Sequence, residues 1–200
     1  MSFRSIFAVF LLGIVCLGAG CSTKKTTDSA PTISKNPPPS SEVIAKMSPS
    51  DREIALQSYL AQNPPKALTQ DKLDEEALRM RQVVEGGQVK RIARIFAGPR
   101  NSYGEMRIVE KNGKLYLALS ETFRIDPGPS LTIEISDQLE PQSESDLQKG
   151  LHFEVGPLRS TTGGQVYELP IFDLNRMTSF VIRSAPFQTI YTVANFERPL

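Results

Sequence analysis

Few side chains in this 200-residue chain could perform chemistry, and their spacing does not bring them together. The single histidine, His152, stands between Leu151 and Phe153 in strand-like sequence. One imidazole in such a place is more typical of a structural or surface residue than of a metal ligand, because metal sites usually need three or four side chains. Ser184 could act as a nucleophile only with a nearby base, and His152 is the only imidazole in the sequence. The sequence therefore predicts no catalytic constellation, no metal site and no cofactor.

Both cysteines lie near the N-terminus. Within residues 1–20, Arg4 precedes an apolar run from Ile6 to Gly20, which is shorter than the roughly 20 residues of a bilayer span. Such a pattern is typical of an export signal. The sequence around the end of this run resembles a bacterial lipobox, although Gly18 stands where Leu, Val or Ile is usual. We expect lipidation of Cys21 in a membrane-anchored lipoprotein, with ordinary signal cleavage and secretion as the alternative.

The segment 21–47 is rich in Ser, Thr, Lys and Pro and nearly free of large apolar side chains. Because such a composition cannot bury enough surface to offset the entropy of ordering, we predict a disordered tether. Without Arg4, the remaining 22 Lys and Arg residues equal the 22 Asp and Glu residues, so the mature chain is formally neutral. This balance argues against a nucleic-acid partner.

Two short helices are predicted over residues 48–87. Ser48 and Pro49 provide an N-cap and a first-turn proline, and the first helix must end by Asn63, before two prolines. A second helix begins near Thr69 and ends at the glycine pair 86–87. We expect the helices either to pack on the following domain or to form a hairpin that meets a partner.

From residue 88 to residue 200 the apolar pattern alternates, which predicts a β-domain. The pair Asn112-Gly113 favours a tight hairpin turn. The stretch LTIEIS at 131–136 places Leu and Ile on one face and Glu134 among the polar residues of the other. The loop 137–149 is polar and is interpreted as solvated. Several short strands without intervening helices predict an antiparallel sandwich or barrel.

Four stretches of this half follow one another in a characteristic order: SYGEMRIVEKNGKLYLALSETFRID, DPGPSLTIEIS, GPLRSTTGGQVYELP and FVIRSAPFQTIYTVANF. In this order they resemble the Skeletor-type "DM-thirteen" domain, a small extracytoplasmic β-domain associated with electron transfer. The resemblance covers a little over half of the chain. It implies a functional position in the last stretch, where the family usually has a cysteine.

This chain departs from the family at that position. Ser184 replaces the cysteine and Arg183 the usual aromatic residue, while Pro186 and Phe187 match. Because a serine cannot cycle through thiol and disulfide states, the thiol-based redox role does not carry over. Four other residues are candidates for ligand contact, three from the glycine-turn stretch and one from the last strand: Arg159, Gln165, Tyr167 and Tyr191.

Three functions remain open from the sequence. The first is a non-catalytic module on a lipid anchor that binds an unknown envelope protein or small ligand. The second is an electron-transfer component of the envelope, as the family resemblance implies. The third, an envelope hydrolase, lacks an acid and a base at a defined spacing. The expected location is the extracytoplasmic face of the outer or cell membrane, or the periplasm or exterior if the chain is secreted.

Overall fold

The computed structural model describes residues 37–198, apart from the side chains at 97 and 98. The predicted signal peptide, Cys21 and the tether up to residue 36 lie outside the described residues. None of the helices within 37–198 is long and apolar enough to cross a bilayer.

Both predicted helices are present. Helix α2 spans Pro49–Gln62, and helix α3 spans Gln70–Glu85. The Ser48 hydroxyl accepts a hydrogen bond from the backbone N–H of Asp51 at 3.1 Å, which satisfies one of the free donors at the start of α2. The observed starts and ends of both helices agree with those predicted from the sequence. They could be predicted because a capping residue or a proline acts on the backbone within one helical turn.

A short helix, α1 at Ser41–Ala45, precedes them inside the segment predicted to be a tether. Its Ile44 is fully buried and belongs to the main core. The tether prediction is therefore wrong for residues 41–47. The apolar pair Val43-Ile44 interrupts the polar composition, and burial of one large aliphatic side chain contributes about 2 kcal/mol toward ordering a segment.

Eight antiparallel strands form one nearly closed, barrel-like sheet in the order β5-β4-β7-β8-β1-β2-β3-β6. The predicted β class is thus confirmed, and of its two alternatives the barrel is the closer. The strands are β1 (Gln88–Gly98), β2 (Ser102–Lys111), β3 (Lys114–Leu119), β4 (Leu131–Ser136), β5 (His152–Pro157), β6 (Gln165–Leu169), β7 (Ser179–Ser184) and β8 (Thr189–Glu197).

The turn between β2 and β3 has the predicted geometry. Asn112 and Gly113 have φ angles of 51° and 74°. Two successive positive φ values match the right-handed twist of the flanking strands, and glycine adopts such values without strain. Pro186 lies in the turn between β7 and β8.

The helices pack on the barrel, which settles the alternative left open by the sequence. Leu56 of α2 is fully buried in the same core as the inward-facing residues of the strands. Tyr59 contacts Phe187 in the β7–β8 turn, with ring centroids 5.5 Å apart. Helix α3 lies against β2, β3 and β6.

The loop between β4 and β5 covers the outer face of the sheet instead of being fully solvated. It contains a fourth short helix, α4 at Glu144–Leu147, and Leu147 is fully buried. Beneath this loop Glu134 is only 1% exposed, although it stands on the face of β4 predicted to be polar. Burial of a carboxylate is tolerated here because Arg183 of β7 donates to it and so compensates its charge.

Candidate functional site

Four connections meet at one end of the barrel. In an all-antiparallel sheet of this order, the β1–β2, β3–β4, β5–β6 and β7–β8 connections all lie at the same end. Helix α2 lies across this end, where Glu53 accepts hydrogen bonds from Arg100 of the β1–β2 turn. We call this end the mouth of the barrel. Barrel mouths are common places for ligand sites, because loops of variable sequence meet there on a rigid sheet.

A cleft of about 530 Å³ opens at the mouth. Its walls come mainly from three segments that are distant in sequence, the α2–α3 linker at 64–68, the loop 127–131 and the loop 157–162, with Leu73 of α3 beside them. We call it the mouth cleft. Its volume falls within the roughly 300–1,000 Å³ of typical ligand sites.

Arg159 lines the mouth cleft, and its position is fixed. Its Nη1 donates to both carboxylate oxygens of Glu76, at 2.7 and 2.6 Å, and its Nη2 donates to the backbone carbonyl of Val166. The guanidinium also lies 4.1 Å from the centroid of the Tyr167 ring. Arg159 therefore joins the loop after β5 to both α3 and β6, and its charge is already compensated by Glu76.

Gln165 and Tyr167 hold the same loop from beneath. The Tyr167 hydroxyl accepts from the Arg159 backbone N–H at 3.1 Å and donates to Gln165 Oε1 at 2.8 Å. Gln165 also accepts from the Ser160 N–H and donates to the Ser160 carbonyl. Burial raises the pKa of the Tyr167 phenol above its ordinary value near 10, so the hydroxyl keeps its proton further into the alkaline range than an exposed phenol does. Three of the predicted contact residues thus form one network, in which Gln165 and Tyr167 support the loop that Arg159 presents.

Tyr191, the fourth predicted contact residue, lies buried beneath the wall of the mouth cleft. It is 1% exposed, and its hydroxyl is buried without a hydrogen-bond partner among the described residues. Gly128 lines the cleft above it, and a Cβ atom there would lie 2.5 Å from the Tyr191 hydroxyl. Glycine is thus required for this close approach. Burial raises the pKa of Tyr191 to about 12.

Ser184, at the position where the DM-thirteen family usually has a cysteine, supports the wall of the cleft but does not line the cleft. Ser184 is fully buried, and its hydroxyl donates to the Pro129 carbonyl at 2.7 Å in the loop that borders the cleft. Phe187 is also fully buried, against Tyr59. Pro186 is partly exposed in the turn. Ser184 and Phe187 therefore stabilise the fold, and Ser184 is not accessible to a substrate.

Arg183 points to the opposite face of β7 from Ser184, because neighbouring strand residues alternate. It donates to Glu134 and, at 3.0 Å, to both carboxylate oxygens of Glu144. His152 Nε2 lies 3.8 Å from the second oxygen of Glu134. This cluster fastens the β4–β5 loop to the sheet. No group of three or more potential metal ligands occurs within residues 37–198.

Sequence reasoning missed two residues of the site. These are Glu76 and Lys66, neither of which the sequence singled out as a contact residue. Lys66 lines the mouth cleft, is exposed and forms no ion pair within the described part of the chain. No signal in the sequence joins Glu76 to Arg159, which is 83 residues away.

The fold and the cleft together define a barrel-like β-domain with a ligand-sized cleft at its mouth. No family model, curated protein or solved structure matches the chain. The resemblance to the DM-thirteen domain stays a prediction.

Proposed function

We propose that this protein is a lipid-anchored, extracytoplasmic lipoprotein of the cell envelope whose β-domain binds a ligand at the mouth cleft without catalysing a reaction on it. The observation that carries the proposal is the cleft itself, which combines about 530 Å³ of volume with walls that are already built. A site whose loops need little reordering on binding retains more of its interaction energy as affinity.

The loop 157–162 supports this interpretation. Within it, the backbone N–H groups of Leu158, Arg159, Ser160 and Thr162 all have hydrogen-bond acceptors inside the protein. Its shape is therefore set before any ligand arrives. The Thr161 and Thr162 side chains line the cleft and can still contact a ligand.

Binding at this site is tested by blocking it. In Ala67→Trp, an exposed lining residue of the linker is replaced by a large side chain that fills the cleft. The matched control is Ala45→Trp, at an exposed position that does not line the cleft. Native mass spectrometry of the protein purified from envelopes should find a non-covalent adduct on the wild type and on Ala45→Trp, and none on Ala67→Trp. An adduct that persists unchanged on Ala67→Trp would refute binding at the mouth cleft.

The anchor is tested at Cys21. Metabolic labelling with a fatty acid should mark the wild type, and Cys21→Ala should lose both the label and the partition into membranes. Partition of Cys21→Ala with membranes to the same extent as the wild type would contradict the lipid anchor.

A further inference from the structure

The lining of the mouth cleft is unevenly charged. Lys66 and Arg159 are its charged residues, and no Asp or Glu lines it. The charge of Arg159 is compensated by Glu76, with two hydrogen bonds of 2.7 and 2.6 Å. Lys66 has no ion-pair partner among the described residues, so it is the one uncompensated charge of this lining. The cleft therefore favours a ligand with a single negative charge.

The walls on both sides of the cleft are largely apolar. The linker contributes Pro64, Pro65 and Leu68, and the barrel loops contribute Pro127 and Leu158. Prolines expose CH₂ groups and no backbone N–H, so they offer a ligand dispersion contacts without hydrogen-bond donors. Such walls favour a ligand whose body is apolar.

Building on ligand binding at the mouth cleft, we propose that the ligand is a single-chain amphiphile with one anionic head group. The head group lies at Lys66, and the chain lies between the proline-bearing walls. At roughly 30 Å³ for each water-sized group, the cleft has room for on the order of 17 such groups. A carboxylic acid with a chain of about twelve carbons has no more groups than that volume can hold.

The proposal is tested with three probes that separate charge from chain. Dodecanoate carries both features, dodecyltrimethylammonium keeps the chain but reverses the charge, and acetate keeps the carboxylate without the chain. Isothermal titration of the wild type below the aggregation concentration of each probe should give one dodecanoate site. Binding of dodecyltrimethylammonium should be at least about ten-fold weaker, and acetate should not bind.

Two matched lysine variants locate the charge. Lys66→Gln should weaken dodecanoate binding about ten-fold, because the head group loses its charged partner. Lys72→Gln makes the same change at an exposed lysine of α3 that does not line the cleft, and it should change binding less than two-fold. Lys66→Arg should retain most of the affinity, because it keeps a positive charge at this exposed position.

The outcomes distinguish this inference from the proposed function. Equal binding of dodecanoate and dodecyltrimethylammonium, or an unchanged affinity in Lys66→Gln, would overturn the inference. If dodecanoate does not bind but an envelope adduct is still lost in Ala67→Trp, the ligand class is wrong and binding at the mouth cleft stands. Loss of neither signal in Ala67→Trp would overturn both.

Discussion

Removal of the Tyr191 hydroxyl should stabilise the protein. In Tyr191→Phe the ring and its packing remain, and Arg100 still lies over the ring, 5.1 Å from its centroid in the wild type. The hydroxyl that is removed is buried and has no partner among the described residues. A buried polar group without a hydrogen bond costs about 1–3 kcal/mol, so the free energy of unfolding at pH 7 should rise by about 1 kcal/mol.

The same variant should change the response to alkaline pH. Burial raises the pKa of Tyr191 to about 12, whereas an exposed phenol titrates near 10. Between these values the unfolded chain releases the Tyr191 proton while the native state keeps it, so the stability of the wild type falls as the pH rises from about 10 to about 12. With allowance for partial solvent screening, the loss amounts to up to about 2 kcal/mol, and Tyr191→Phe should escape it.

Urea unfolding followed by far-UV circular dichroism at pH 7 and at pH 11 measures both effects. Tyr167→Phe is the matched control, because it removes a hydroxyl that bonds both Gln165 and the Arg159 N–H. It should destabilise the protein by about 1–2 kcal/mol at pH 7. The reasoning is refuted if Tyr191→Phe destabilises the protein at pH 7, or if its advantage over the wild type does not grow at pH 11.

Three further substitutions test the surroundings of the site. Ser184→Cys should add no thiol reactive toward a maleimide in the native protein, because the position is fully buried; rapid labelling beyond the wild-type level would contradict this. Arg183→Ala should lower the free energy of unfolding in urea by about 3–5 kcal/mol, because Glu134 would stay buried without its cation. A change below about 1 kcal/mol would show that Glu134 reaches water. Gly128→Ala should lower the free energy of unfolding by about 1–3 kcal/mol, because its Cβ would lie 2.5 Å from Tyr191. An unchanged melting temperature would argue against this close approach.

Local features of the chain could be predicted because they act between near neighbours. Ser48 and Pro49 mark the start of α2, and Asn112 and Gly113 make the β2–β3 turn, as the sequence indicates. Each depends on backbone geometry and hydrogen bonds that span four residues or fewer. The alternating apolar pattern predicted strands for the same reason, since the side-chain period of a strand is a local property.

The candidate site could be predicted only in part. Arg159, Gln165 and Tyr167 were predicted as contact residues, and the structure brings them together at one loop. Their roles could not be foreseen, because Arg159 takes its partner Glu76 from a helix 83 residues earlier. The family resemblance implied a functional position at Ser184. The structure places Ser184 in the core, where its hydroxyl donates a hydrogen bond to the Pro129 carbonyl.

The sequence by itself determined the β class, the starts and ends of α2 and α3, the β2–β3 hairpin turn and the expectation of an anchored, formally neutral chain. Only the tertiary structure decided that the sheet curls into a barrel, that Glu134 is buried beneath a polar loop and that three distant segments enclose the mouth cleft. The physical reason is how far apart in the sequence the interacting residues lie. Turns and caps involve residues a few positions apart, whereas burial and clefts depend on which surfaces meet after the chain has folded back on itself.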